Sequence, residues 1–121
     1  MTRRFLSILI SALVCAAPVA AQDVASASGA ILRVLDKTSG DAKDLEVQRG
    51  QMVREGRLQI AMQDCRYPAG NPSGNAYAAL EISEVDKDGL LFSGWMIASS
   101  PALSALEHQR YDVWVIRCTT S

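Results

Sequence analysis

The sequence predicts an all-β fold, a small sandwich or barrel of about seven short strands with one short helix and one disulfide. Three observations carry that prediction. Turn residues recur about every eight to twelve positions along the mature chain. The clearest apolar pattern, Leu58, Ile60 and Met62 alternating with Arg57, Gln59, Ala61 and Gln63, has the period of two that belongs to a half-buried strand. The helix signal, after Pro101, is only about two turns long, too short to cross over a parallel sheet.

The first residues read as a leader. Thr2-Arg3-Arg4 is a basic start, Phe5 to Val14 is an apolar run, Pro18 breaks it, and Val19-Ala20-Ala21 supplies small residues for cleavage. Residues 1–21 read as a cleaved secretory signal peptide. The run is about half the length a membrane helix needs. Cys15 follows Leu13-Val14 instead of the small residue a lipid-acceptor cysteine requires, and Arg3-Arg4 meets Phe5 without the spacer of a twin-arginine signal. Removing the leader takes the net charge from −1 to −3 and leaves the basic residues scattered singly. That balance argues against nucleic acid as a partner, because phosphate recognition needs clustered Lys and Arg.

Residues 22–29 (QDVASASG) are small and polar and read as a flexible lead-in; residues 30–121 read as a single β-domain. Ala30 to Asp36 is a strand apolar on nearly both faces, Lys37 to Asp44 turns, and Leu45 to Val47 is a second short strand. Met52-Val53 is a brief extended piece between turns at Arg49-Gly50 and Glu55-Gly56. The alternating strand follows from Leu58. Continued in phase, it would put Asp64 with the apolar set and Cys65 with the polar one, so a β-bulge is predicted near Gln63. Arg66 to Asn75 holds two Pro, two Gly and two Asn and reads as a loop. Ala76 to Val85 is a strand whose partner, Leu90 to Ala98, returns after the turn Asp86-Lys87-Asp88-Gly89. Ser100 caps and Pro101 opens the short helix, with Leu103 and Leu106 on one face. Tyr111 to Thr119 closes the chain as a central strand, with Val113 and Val115 on one face and Trp114, Ile116 and Cys118 on the other.

Cys65 and Cys118 remain as an even pair once the leader takes Cys15, and an exported domain of this size is expected to join them in a disulfide. A zinc site would want four ligands at recognisable spacings, and redox chemistry would want C-x-x-C. Neither pattern is present.

Catalytic patterns are sparse. His108 is the one histidine and reads as a helix-end cap or surface group; Gly70 to Gly74 (GNPSG) places Ser73 one position late for a nucleophile elbow. Asp86 and Asp88 read as a turn, and Glu81 and Glu84 as a solvent face, in preference to paired catalytic acids. Trp114 and Trp95 read as core. The expectation is a non-catalytic periplasmic protein-interaction domain without cofactor or metal, with no membrane span after cleavage. Its candidate surface draws on Arg66, Tyr67, Asn71, Asn75, Trp95 and His108. The alternative is a small-molecule or glycan-binding β-domain with Trp95 or Tyr67 as a stacking platform.

Cys65 to Ile82 (CRYPAGNPSGNAYAALEI) and Leu91 to Cys118, with the SGWM, SSPALSALEH and YDVWV succession, resemble the secreted bacterial family catalogued as domain of unknown function 2155. Gly29 to Gly40 extends the likeness over nearly the whole mature chain. The resemblance implies an exported protein of Gram-negative bacteria whose two cysteines match Cys65 and Cys118, and it brings no catalytic residues. It also implies a partner in the envelope or inner membrane, as an accessory subunit of a complex such as respiratory NADH:ubiquinone oxidoreductase.

Overall fold

The computed structural model describes residues 23–102, 106 and 108–120. The expected leader, residues 1–21, and most of the expected helix, residues 103–105 and 107, lie outside them. Among the described residues there are eight strands and no helix, and Pro101 and Ala102 lie in a turn. The strands are β1 (Val24–Ser26), β2 (Gly29–Asp36), β3 (Ala42–Gln48), β4 (Met52–Glu55), β5 (Leu58–Pro68), β6 (Tyr77–Glu84), β7 (Phe92–Ile97) and β8 (Tyr111–Thr119).

They form a sandwich of two antiparallel sheets. One has the order β1-β5-β6-β7 with β4 also on β5; the other has the order β3-β2-β8. β5 is 11 residues long, and β6 occupies one of its edges from Leu58 to Arg66. Its other edge is shared: β4 pairs with Leu58 to Ala61 and β1 with Arg66 to Pro68. The chain steps between sheets at Arg49 to Gln51, where Gly50 N–H donates to the Met62 carbonyl at 2.8 Å and Met62 N–H to the Gln51 carbonyl at 3.1 Å. The β4–β5 hairpin turns on Gly56 and Arg57, with glycine at the first central position as such two-residue turns demand. A side chain at Gly56 would have to adopt φ +57° and would put its Cβ 2.5 Å from the Tyr111 hydroxyl.

The core lies between the sheets. Leu58, Ile60 and Met62 of β5, Ala78, Leu80 and Ile82 of β6, Met96 of β7, Leu32 and Val34 of β2, Val47 of β3 and Val113 and Val115 of β8 are all fully buried. Leu106, on the β7–β8 connection, is buried with them.

The bulge expected near Gln63 is present, since the β5–β6 register shifts between Met62 and Asp64. Burial changes phase there: Leu58, Ile60 and Met62 point inward, and the next inward residue is Cys65. A second bulge lies in β8. Ile31 pairs with Arg117 and Leu32 with Val115, so Ile116 is the extra residue, and burial passes from Tyr111, Val113 and Val115 to Cys118. The two bulges turn both cysteines into the core, where they are bonded, Cα–Cα 5.8 Å apart. Their partners across the ladders are Ala78 and Ala30, both fully buried and small enough to leave room for the sulfurs.

Several expectations need correction. Cys118 lies on the same face as Val113 and Val115 because of the β8 bulge, and not with Trp114. β8 is an edge strand of its sheet, not a central one, and Trp114 is half-buried on the outer face instead of in the core. The segment read as a flexible lead-in contains β1, held by backbone pairing to β5 and by Ala27, which is buried and donates its N–H to the Cys65 carbonyl at 2.7 Å. Arg66 to Pro68, read as loop, continue β5 because β1 pairs with all three and β6 with Arg66 on the other side.

The bulge gives a direct prediction. Deleting Gln63 should remove the bulge and leave Cys65 two places after Met62, still inward in plain alternation, so a thiol titration should find no free thiol in the mature chain, as in the parent; two free thiols would sink this account of the strand's phase. Replacing both cysteines by Ala should cost about 4 kcal/mol on the chain-entropy account of a 53-residue separation, read from guanidinium unfolding.

Candidate interaction face

The bulge at Met62–Asp64 has a second effect. Without it Arg66 would share a face with Leu58 and Ile60; with it Arg66 points out of the sandwich, on the face of the five-stranded sheet away from the core. Arg66 pairs in register with Tyr77, and Ala79, two residues along β6, pairs with Trp95. On β1, Val24 stands two residues from Ser26, the partner of Arg66. Four strands therefore place Val24, Arg66, Tyr77 and Trp95 side by side, where they line a shallow cleft of about 220 Å³.

The cleft is built on small residues and fixed bonds. Ala79 faces outward yet is only 7% exposed, covered by its neighbours in the row that carries Trp95. The Arg66 guanidinium carbon sits 4.9 Å from the Trp95 ring centroid, a cation–π contact. Arg66 Nε donates to Asp64 Oδ2 at 2.9 Å, and Ser26 Oγ donates to the same oxygen at 3.4 Å. Asn75 clamps one end: its side-chain oxygen accepts the backbone N–H groups of Ala76 and Ser99, both at 3.0 Å. Its amide donates to Ser99 Oγ at 2.9 Å and to the Tyr77 hydroxyl at 3.3 Å. Trp95 is nevertheless 42% exposed and Val24 46%.

Of the six residues expected to form an interaction surface, the structure brings Arg66 and Trp95 into contact and sets Asn75 beside them as a support. Tyr67 points the other way, packed against the core. Asn71 lies in the turns of the β5–β6 loop, its N–H bonded to the Pro68 carbonyl. His108 meets Glu84, at the opposite end of β6 from Tyr77 and about 23 Å away at the rise of a strand. Val24 and Tyr77 escape the sequence reading as members of the site. Val24 sits in a polar stretch, and Tyr77 belongs to a strand whose outer face shows only after its register is known.

The His108 end has a different chemistry. Glu84 is inward-facing and 8% exposed, and three nitrogen groups surround its carboxylate: the Arg57 guanidinium at 3.4 Å, the Lys87 ammonium at 3.3 Å and His108 Nε2 at 3.5 Å. His108 Nδ1 accepts the backbone N–H of Arg110 at 3.0 Å and of Tyr111 at 3.3 Å, which places the ring proton on Nε2, toward Glu84. The Tyr111 hydroxyl accepts the backbone N–H of Arg57 at 3.2 Å. This set closes the polar end of the core. Among the described residues no group of three or more His, Cys, Asp or Glu is placed to hold a metal ion.

Burial pushes the Glu84 carboxyl up, but hydrogen bonds from Lys87 and His108, the Lys87 charge and the bond from Arg57 together outweigh it and hold the group below its ordinary value. A carboxyl depressed on folding contributes stability above its unfolded pKa, about 4.3, and loses it as pH falls through the lower folded value. Urea midpoints should therefore fall as pH drops below about 4. Glu84→Gln should lower the midpoint at neutral pH and flatten that acid limb; an unchanged limb would remove Glu84 from the account.

Comparison with known proteins places the chain. Residues 30–118 match domain of unknown function 2155, described as an uncharacterized protein conserved in bacteria. A curated relative, uncharacterized protein RP359 of Rickettsia prowazekii (strain Madrid E), is 29% identical over 87 residues, 69% of this chain. The aligned stretch spans 56% of that relative's length. No solved structure matches the chain. The matched span takes in seven of the eight strands, all but β1, and both disulfide cysteines, and the chain belongs to the family of domain of unknown function 2155.

Proposed function

We propose that this chain is a non-catalytic, periplasmic protein-interaction domain that docks on an envelope or inner-membrane protein complex through the outer face of its five-stranded sheet. The observation that supports this reading is Trp95, a large side chain left 42% exposed beside Arg66, Tyr77 and Val24 on a rigid, disulfide-stapled sheet. Tryptophan, tyrosine and arginine are the residue types that dominate interface hot spots. The buried disulfide and the apolar leader support export, and among the described residues no helix is long and apolar enough to cross a membrane.

A glycan-binding role is the weaker alternative. Sugar stacking needs an open aromatic face, and the Arg66 guanidinium already lies over the Trp95 ring. Tyr67, the other stacking candidate, packs against the core.

A photoreactive amino acid at Val24 tests the proposal in intact cells. It should capture one envelope protein, with respiratory NADH:ubiquinone oxidoreductase subunits the first to be probed, and Trp95→Ala should abolish the capture. The same probe at Lys43, exposed on the other sheet, should capture nothing in common with it. Trp95→Ala should cost only about 1 kcal/mol of stability as a surface change, against about 2–5 kcal/mol for Met96→Ala in the core. Undiminished capture by Trp95→Ala sinks the reading.

A further inference from the structure

We infer that the cleft of Val24, Arg66, Tyr77 and Trp95 recognises a peptide segment of the partner in which a carboxylate stands within a residue or two of an apolar side chain. This rests on the protein-interaction reading and specifies its chemistry. The carrying observation is how Arg66 distributes its five N–H donors. Nε is spent on Asp64, and among the described residues neither Nη group meets an acceptor. The side chain is 48% exposed, so these donors face outward beside three apolar neighbours.

The arrangement is stiff. Asp64 holds the guanidinium from below, Trp95 flanks it, and Asn75 fixes Tyr77 through its hydroxyl. A planar guanidinium with its terminal donors open matches a carboxylate, which can accept two parallel bonds from it. The adjoining cleft of about 220 Å³ is lined by the isopropyl group of Val24 and the rings of Tyr77 and Trp95, which offer an apolar side chain contact on three sides. The two halves of the site lie on neighbouring strands. One peptide carrying both groups close together reaches them at once, whereas an isolated acid or an isolated apolar side chain gains only half the contacts.

An array of short peptides tests this, each with one Phe or Leu next to, or one residue away from, an Asp or Glu, and each accompanied by its Asn or Gln twin. The mature, disulfide-bonded protein should retain acidic members about tenfold or more better than their amides, as expected when a charge-assisted bond is replaced by a neutral one. Arg66→Gln should erase that preference while keeping the disulfide and the unfolding midpoint. Trp95→Ala should weaken both classes together. Equal retention of acids and amides, or no retention of either, overturns the inference. The Val24 capture then tells the two readings apart. If Trp95→Ala still abolishes it and Arg66→Gln does not, the interaction face stands and only the carboxylate chemistry fails. If neither variant alters it, both readings fail.

Discussion

The fold depends on one constraint: Cys65 and Cys118 must both face inward, and neither does so in the phase that its own strand begins with. β5 buries Leu58, Ile60 and Met62; β8 buries Tyr111, Val113 and Val115. In each strand the cysteine comes three residues after the last of these, an odd offset that alternation would send outward. One extra residue in each strand reverses the phase, and the bridge forms between the sheets. The cost is local, an interrupted ladder at each bulge. The gain is a link between the middle of the sequence and its end, across a sandwich whose smaller sheet has three strands.

The same reversal shapes the exterior. Beyond the β5 bulge every residue exchanges faces, so the inward turn of Cys65 is also the outward turn of Asp64 and Arg66 and the inward turn of Tyr67. The candidate interaction face is thus a by-product of the disulfide geometry. Arg66 reaches Trp95 because the bulge put it on that side and because Ala79 beneath them is too small to stand between them. Staple and surface share one cause, and a change at Met62–Asp64 acts on both.

The two bulges show how far the residues could be read in advance. The β5 bulge was legible because the strand alternates apolar with polar residues, so an acid in an inward position and a cysteine in an outward one break a visible pattern. The β8 bulge was not, because Trp114 and Ile116 are as apolar as Val113 and Val115 and no phase exists to be broken. The same ambiguity in FSGWMI hid the exposure of Trp95. An edge position such as that of β8 is set by strand order, which local pattern does not encode. β1 was missed for a different reason. Val24 to Ser26 offer little apolar area, and their order comes from backbone bonds to β5 that composition cannot report.

The ends of β6 explain why the cleft, and not the histidine, carries the functional reading. At the Glu84 end, both ring nitrogens of His108 are bonded, one to a carboxylate and one to backbone N–H groups. The carboxylate in turn has two cationic neighbours, Arg57 and Lys87, besides the imidazole, and little exposure. Polar groups so fully occupied hold their place in the core and have few bonds left to offer a ligand. At the Tyr77 end the accounts differ. Asn75 and the Oδ2 oxygen of Asp64 are occupied, but they serve to fix Tyr77 and Arg66, whose apolar ring and terminal guanidinium donors remain outward. A rigid support beneath unspent recognition groups is the condition under which binding energy is not consumed in ordering the site.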